Sequence, residues 1–76
     1  MKEFVEFVVK SLVDYPDEVK INEVDGGRTI VLELQVDKSD MGKVIGRHGQ
    51  NAKSLRTLLA AVSAKNGKRT VLEILE

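Results

Sequence analysis

Residues 42–52, Gly-Lys-Val-Ile-Gly-Arg-His-Gly-Gln-Asn-Ala, divide a helical region of the chain into two parts. The apolar residues before Gly46 indicate a short helix, and this helix is predicted to end at Gly46 because glycine readily leaves helical geometry. After Gly49, apolar residues recur at helical spacing and predict a second helix that ends at Asn66, where Gly67 supplies a normal C-terminal stop. The two helices are therefore predicted to be joined by a very short connection with a glycine at each end.

The N-terminal segment is predicted to be an amphipathic helix. Its apolar side chains recur at helical spacing, whereas its charged side chains occupy the other side. The helix must stop near Asp14, because Pro16 disfavours helical geometry at Tyr15. We expect its phenylalanine and valine side chains to lie in the core; a membrane-surface role is the alternative. The apolar set is Phe4, Val5, Phe7, Val8, Val9, Leu12 and Val13.

Three segments are predicted to be strands. The first contains Val19 and Ile21. The second, residues 28–37, alternates between apolar and polar side chains, so one of its faces is expected to be buried and the other exposed to solvent. Asp25-Gly26-Gly27 supplies the positive-φ residues of a tight hairpin turn between them. The last strand covers residues 69–75. The element order is therefore α-β-β-α-α-β, and we expect residues 1–76 to form one domain.

Length and composition exclude several classes of protein. The 76 residues include no cysteine and one histidine, so disulfides, thiolate chemistry and a histidine-based metal site are not expected. The longest apolar run, residues 58–62, is far shorter than the roughly 20 residues that span a bilayer, and the N-terminus is unlike a leader peptide. No pattern places a serine nucleophile and an orienting acid with His48, so no catalytic residue is expected. We expect a cytoplasmic protein with no membrane partner, cofactor or small-molecule substrate.

Charge is unevenly distributed along the chain, although the net charge is zero. Residues 1–37 carry nine acidic and four basic side chains, a net charge of −5, whereas residues 38–69 carry eight basic and one acidic side chain, a net charge of +7. A neutral protein with a basic half can bind a polyanion locally while remaining in solution. A basic helix face that is merely solvated is the alternative.

The connection from Gly46 to Gly49 has the features of a phosphate-binding loop. Its glycines let a ligand approach the backbone without a Cβ in the way. The helix that begins at Gln50 directs unpaired N–H groups and the positive end of its dipole toward that approach. Glycines at this spacing often arise by chance, and a flexible helix–helix turn is the alternative; neither a P-loop signature nor a three-glycine dinucleotide fingerprint is present. The surrounding cations are Lys43, Arg47, Lys53 and Arg56.

Residues 42–52 closely resemble the Val-Ile-Gly-x-x-Gly core of KH domains, and the element order is similar to the type II KH arrangement. The resemblance extends over the whole chain, and residues 40–43 and 52–58 are similar to those of small bacterial proteins that consist of one KH domain. It implies an α+β fold in which helices pack on one face of a three-stranded sheet. It also implies that the loop clamps the backbone of about four single-stranded nucleotides.

The resemblance implies an RNA-binding site around the loop. The bases are expected to lie in an apolar groove between the helices of the loop and the second strand, with Val44 and Ile45 as its floor and Val36 and Leu55 as further contributors, unless Leu55 is ordinary core. No aromatic side chain accompanies the basic region, so base stacking is not expected and binding is predicted to be weak and loosely selective. Arg47 is expected to pair with phosphate, whereas His48 either donates to phosphate or is simply solvated. The predicted RNA-binding residues are Lys43, Val44, Ile45, Gly46, Arg47, His48, Gly49, Gln50, Lys53 and Arg56.

Two functions follow from the resemblance. The first is a non-catalytic RNA-binding protein, specifically an RNA chaperone or post-transcriptional regulator that acts with a larger KH-containing partner and affects cell envelope synthesis and cell shape. The second is a protein-interaction module in which the fold serves for dimerisation and RNA binding is incidental. In either case a homodimer, or a heterodimer with a KH partner, is expected, formed through a surface that leaves the Gly46–Gly49 loop free.

Overall fold

The computed structural model describes residues 1–76 and confirms the predicted order of elements. The helices are α1 (Lys2–Leu12), α2 (Met41–Ile45) and α3 (Gln50–Asn66), and the strands are β1 (Lys20–Asp25), β2 (Thr29–Gln35) and β3 (Arg69–Ile74). Three single turns of 3-10 helix, Pro16–Glu18, Lys38–Asp40 and Arg47–Gly49, lie between them.

Helix α1 buries a different line of side chains from the one that the sequence predicts. Val5 and Val9 are fully buried, whereas Phe7 is 72% exposed, and Phe4 and Leu12 also lie at the surface. The prediction that the phenylalanines belong to the core is therefore wrong. The stripe of apolar residues is wide enough to permit either orientation, and in the structure the valine side faces the core.

The hairpin between β1 and β2 turns at the predicted residues, but of Asp25, Gly26 and Gly27 only Gly27 has the positive φ that the sequence predicts. The Asp25 carboxylate accepts a hydrogen bond from the backbone N–H of Gly27 at 2.9 Å, and the Gly26 N–H donates to the Thr29 carbonyl at 2.9 Å. Gly27 has φ 91°, a value that favours glycine. The turn therefore sets the register in which Val24 lies opposite Val31.

The sheet has the order β1-β2-β3, with β1 antiparallel and β3 parallel to β2. A parallel pair needs a crossover connection, and here residues 36–68, which contain α2 and α3, provide it. Leu32, Leu34 and Leu72 form the buried face of the sheet, and the helices pack there. Strand β3 is left at an edge, and α3 runs beside it, so the α2–α3 connection lies near the C-terminal end of β3.

Ten buried apolar side chains form one core between the helices and the sheet, which is consistent with the small size of the chain. No buried side-chain nitrogen or oxygen lacks a hydrogen-bond partner. The core residues are Val5, Val9, Val19, Leu32, Leu34, Val36, Val44, Leu55, Leu59 and Leu72.

Candidate functional site

The connection between α2 and α3 is one tight turn held by its own backbone. The N–H of Gly46 donates to the Gly42 carbonyl at 2.8 Å and ends α2, and the N–H of Gly49 donates to the Gly46 carbonyl at 3.1 Å. Gly46 has φ 77° and ψ 173°, a conformation that only glycine adopts readily. His48, at φ 55° and ψ 28°, and Gly49, at φ 73° and ψ 14°, are both left-handed. Three of the four loop residues, Gly46, His48 and Gly49, therefore depart from right-handed helical geometry.

Asn51, on the first turn of α3, holds the two helices together. Its side-chain amide donates to the Lys43 carbonyl at 2.8 Å, which pairs a carbonyl at the end of α2. A Cβ placed on Gly46 would lie 2.7 Å from Asn51 Cγ and 2.9 Å from the Asn51 backbone nitrogen. Gly46 is thus required by close packing as well as by its φ angle. Sequence reasoning missed Asn51; an amide side chain just after the second glycine was the only signal.

The Gly49 end of the loop is open. A Cβ placed on Gly49 would meet no atom within 4 Å, and no side chain caps the N-terminus of α3. The first turn of α3 leaves backbone N–H groups without side-chain partners, and such a helix start attracts anions. Arg47 and His48 are exposed, and neither makes an ion pair or a side-chain hydrogen bond. The structure therefore brings N–H donors and two uncommitted side chains to one exposed point.

Lys43 is the only one of the four predicted cations of the loop that forms an ion pair within the chain. Its ammonium lies 2.7 Å from an Asp14 carboxylate oxygen and 3.6 Å from one of Asp40. The hydrogen bond to Asp14 raises the pKa of Lys43, with a further contribution from the charges of Asp14 and Asp40. Asp40 is fully buried and accepts hydrogen bonds from the backbone N–H groups of Asp14 and Tyr15 at 3.1 and 3.0 Å. Lys43 thus helps to fix the segment after α1, and much of its charge is already balanced.

An apolar groove of about 250 Å³ adjoins the loop. Ile45 and Ile74 contribute its largest apolar side chains, and Ile45 is 37% exposed, which fits its predicted place on the floor. The expectation for Val44 needs correction, because Val44 is fully buried and supports the groove from beneath without a free surface. The wall opposite the helices is also different from the one expected: β3 provides it, since β2 is the central strand.

The further contributors named from the sequence, Val36 and Leu55, belong to the core. They are 8% and 3% exposed, so neither presents a surface to a ligand. The remaining lining residues of the groove are Met41, Gly49, Ala52, Arg56 and Glu76. No aromatic side chain lines this groove.

Lys53 and Arg56, three residues apart on α3, face different surfaces. The Arg56 Nε donates to the Leu72 carbonyl at 3.4 Å, so this side chain reaches across to β3 beside the groove. Lys53 borders a separate surface depression that Gln50 also lines. The structure therefore groups Ile45, Gly49 and Arg56 at the groove, and places Lys53 and Gln50 on the neighbouring side of α3.

No helix combines the length and the apolar character that crossing a membrane requires. No three side chains of histidine, cysteine, aspartate or glutamate come together in an arrangement that could hold a metal ion.

Comparisons with known proteins give one consistent family. The family model described as "KhpA/KhpB, KH domain" matches residues 2–74. An RNA-binding protein KhpA of Borreliella burgdorferi is 54% identical over 74 residues, covering 97% of this chain and 90% of the relative. The RNA-binding proteins KhpA of Chlamydia pneumoniae and Aquifex aeolicus are each 51% identical over 76 residues, covering all of this chain and 97% and 96% of the relatives.

No solved structure matches the chain significantly. The family model nevertheless covers nearly the whole chain, and the matched residues include every element of the sheet and the complete α2–α3 connection. The chain therefore belongs to the KhpA/KhpB family of KH domains.

Proposed function

We propose that this chain is a non-catalytic RNA-binding protein that grips the backbone of single-stranded RNA at the Gly46–Gly49 loop. One observation carries the proposal: exposed Arg47 and His48, both without protein partners, stand beside the uncapped N-terminus of α3. The relatives that match the whole chain are named RNA-binding proteins, which supports the same function. The chain acts as a single KH domain, without cofactor or metal.

In the proposed complex the loop binds phosphate and the groove binds bases. Phosphate oxygens accept hydrogen bonds from the loop N–H groups and from Arg47, and the positive end of the α3 dipole adds to the attraction. Bases lie against Ile45 and Ile74, where the edge of β3 faces the groove. Because no aromatic side chain is present for stacking, which contributes about 1–3 kcal/mol per base elsewhere, binding is weak and tolerant of sequence.

Membership of the family supports a cellular role for this binding. We propose that the chain serves in the cytoplasm as an RNA chaperone or post-transcriptional regulator, with effects on cell envelope synthesis and cell shape. Weak and sequence-tolerant binding suits such a role, because a chaperone must release each RNA after binding it.

Exposed apolar side chains favour dimerisation as part of the proposal. Phe7 on α1 is 72% exposed and Leu58 on α3 is 49% exposed, so each offers an apolar side chain to a partner. We propose a homodimer, or a heterodimer with a larger KH protein, whose interface leaves Gly46–Gly49 free. Two clamps on one RNA then gain affinity by avidity. A strict monomer in sedimentation equilibrium at micromolar and higher concentrations, with and without a KH partner, would contradict this part.

The double variant Arg47→Asp/His48→Asp tests the RNA site. Both side chains are exposed and both glycines remain, so the circular dichroism spectrum and melting temperature are expected to stay close to those of the wild type. Filter binding to single-stranded RNA is expected to show loss of measurable affinity, because new anions at the loop repel phosphate.

A matched control is Lys10→Glu/Lys20→Glu, which changes two exposed residues on α1 and β1 and lowers the net charge by one unit more. It is expected to bind RNA with little loss. Equal loss in the two variants would mean that only total charge matters, and unchanged affinity in a folded loop variant would place the RNA site elsewhere.

A further inference from the structure

The groove beside the Gly46–Gly49 loop contains two side chains of opposite charge. Arg56 lines it from α3, and Glu76 lines it from the segment that follows β3. Neither side chain forms an ion pair, with the other or with any other residue of the chain. The groove therefore presents one free cation and one free carboxylate, and its other lining residues are uncharged: Met41, Ile45, Gly49, Ala52 and Ile74.

Arg56 is only loosely held at the groove. Its Nε donates to the Leu72 carbonyl at 3.4 Å, which is longer than the usual N–H···O distance. A guanidinium carries five N–H donors and no acceptor, and it stays charged in proteins. Its planar fork suits a ligand that presents two neighbouring acceptors. The terminal N–H groups of Arg56 are therefore available to the edge of a base in the groove.

Glu76 is an unexpected residue in a site for RNA. A carboxylate repels the phosphates of any strand that enters the groove, whatever bases the strand carries. Carboxylate oxygens only accept hydrogen bonds, so this repulsion is offset only where a base presents a donor to them. Glu76 is exposed and unpaired, and its oxygens are open to such a donor. Unlike the backbone clamp of the loop, this carboxylate can distinguish one base from another.

We infer that the groove selects cytosine over uracil, with Glu76 accepting a hydrogen bond from the N4 amino group and Arg56 donating to N3 and O2. The inference rests on the proposed function of the loop and names the base that the groove prefers. Acidic side chains accept hydrogen bonds from cytosine N4 in base recognition generally. Uracil has the same size but presents O4 to the carboxylate and N3–H to the guanidinium, so both contacts are mismatched. The selection applies to one nucleotide, and binding of the others stays tolerant of sequence.

The test measures the affinities of single-stranded RNA oligomers of about four nucleotides, the length that the loop clamps, by fluorescence anisotropy. Oligocytidine and oligouridine are compared with an oligomer of pyrimidin-2-one ribonucleoside, which is cytidine without its amino group. For the wild type we expect about tenfold tighter binding of oligocytidine than of oligouridine, within the range that one good base contact provides. The pyrimidin-2-one oligomer keeps N3 and O2 and is expected to bind with intermediate affinity.

Variants assign the selectivity to the two side chains. Glu76→Gln replaces the carboxylate with a neutral amide that accepts a weaker hydrogen bond and can donate to uracil O4, so the affinity ratio of oligocytidine to oligouridine is expected to fall to about two or lower. Arg56→Lys keeps the charge but loses the planar fork, and is expected to weaken oligocytidine binding several-fold with little change for oligouridine. Glu73→Gln is the matched control, because Glu73 is exposed on β3 and does not line the groove. It removes the same charge and is expected to leave the ratio unchanged.

The outcomes separate this inference from the proposed function. If the wild type binds oligocytidine and oligouridine equally while Arg47→Asp/His48→Asp abolishes the binding of both, the loop remains the RNA site and the inference is overturned. A preference for oligocytidine that survives Glu76→Gln also overturns it, because the selectivity then arises elsewhere. An equal gain of affinity for both oligomers in Glu76→Gln would show that this carboxylate only repels phosphate, which is again contrary to the inference. Full affinity in the folded loop variant would contradict the proposed function instead.

Discussion

The two ends of the Gly46–Gly49 loop use glycine for different reasons. At Gly46 an added Cβ would lie 2.7 Å from Asn51 Cγ, whereas at Gly49 it would meet nothing within 4 Å. Both residues have positive φ, so the sign of φ alone does not distinguish them. The first glycine is fixed by packing inside the chain, and the second leaves an open surface at the start of α3.

This difference separates what folds the site from what the site binds. The Gly46 end, with Asn51 and the buried Asp40, determines where the loop lies. The Gly49 end, with Arg47 and His48, provides the surface that a phosphate would meet. Variants at the first end are therefore expected to act mainly on stability, and those at the second mainly on RNA affinity.

The largest effect on stability is expected for Gly46→Ala. The methyl group would overlap Asn51, including its backbone nitrogen, and the residue would keep a conformation that costs a non-glycine residue about 1–3 kcal/mol. We expect a loss of roughly 3 kcal/mol or more in the free energy of unfolding, a large part of the stability of a chain of this size. Urea denaturation measures it. A loss below about 1 kcal/mol would show that Asn51 moves aside easily.

Gly49→Ala is expected to separate stability from binding. The left-handed conformation costs alanine about 1–2 kcal/mol, and no steric overlap adds to it. RNA affinity is expected to fall about tenfold, because the methyl group stands in the open surface at the start of α3 and keeps the phosphate away from the N–H groups. The RNA affinity of the fully folded variant tests this expectation. An unchanged RNA affinity would show that phosphate does not approach the backbone at the Gly49 end of the loop.

Asn51→Ala is expected to have a moderate effect of both kinds. The Lys43 carbonyl would lose its partner, which costs about 1 kcal/mol of stability, and the loop would no longer be held against α3. We expect RNA affinity to fall several-fold through loss of preorganisation. Asn51→Asp, which keeps the shape but places a carboxylate beside that carbonyl, serves as the companion variant and is expected to be at least as harmful. Full RNA affinity in both variants would show that the loop does not depend on Asn51.

The smallest effect on RNA affinity is expected for Lys43→Ala. The Lys43 ammonium already contacts two carboxylates, so its removal withdraws little free positive charge. Titrations at one salt concentration are expected to show a smaller loss for Lys43→Ala than for Arg47→Ala, while Lys43→Ala melts at a lower temperature because Asp40 loses a partner. An equal loss of affinity would mean that Lys43 leaves its carboxylates and binds RNA.

Local patterns were sufficient to predict most of the fold. Residues 28–37 alternate in a way that only a half-buried strand satisfies, and the glycine pairs after Asp25 and around Arg47 mark turns that the structure contains. The orientation of α1 was not predictable, since Val5 and Phe4 lie on one wide apolar stripe and tertiary packing selects the valines.

The site was harder to predict from the sequence than the fold. A valine next to an isoleucine gives no local sign of which one is buried, and the structure buries Val44 fully while Ile45 stays 37% exposed. The contacts of Lys43 with Asp14, 29 residues away, depend on the path of the chain after α1. Such long-range contacts decide which of the predicted cations remain without an acidic partner, and they cannot be predicted from the local sequence.

The most direct measurement is a titration of the ¹⁵N-labelled protein with a short single-stranded RNA, followed through backbone amide chemical shifts. The account predicts that the largest shift changes lie at residues 46–51. Amides of β1 and of α1 are expected to change little. If the largest changes lay on α1 or on the face of the sheet away from the helices, while those of the loop stayed small, the Gly46–Gly49 loop would not be the RNA-binding site.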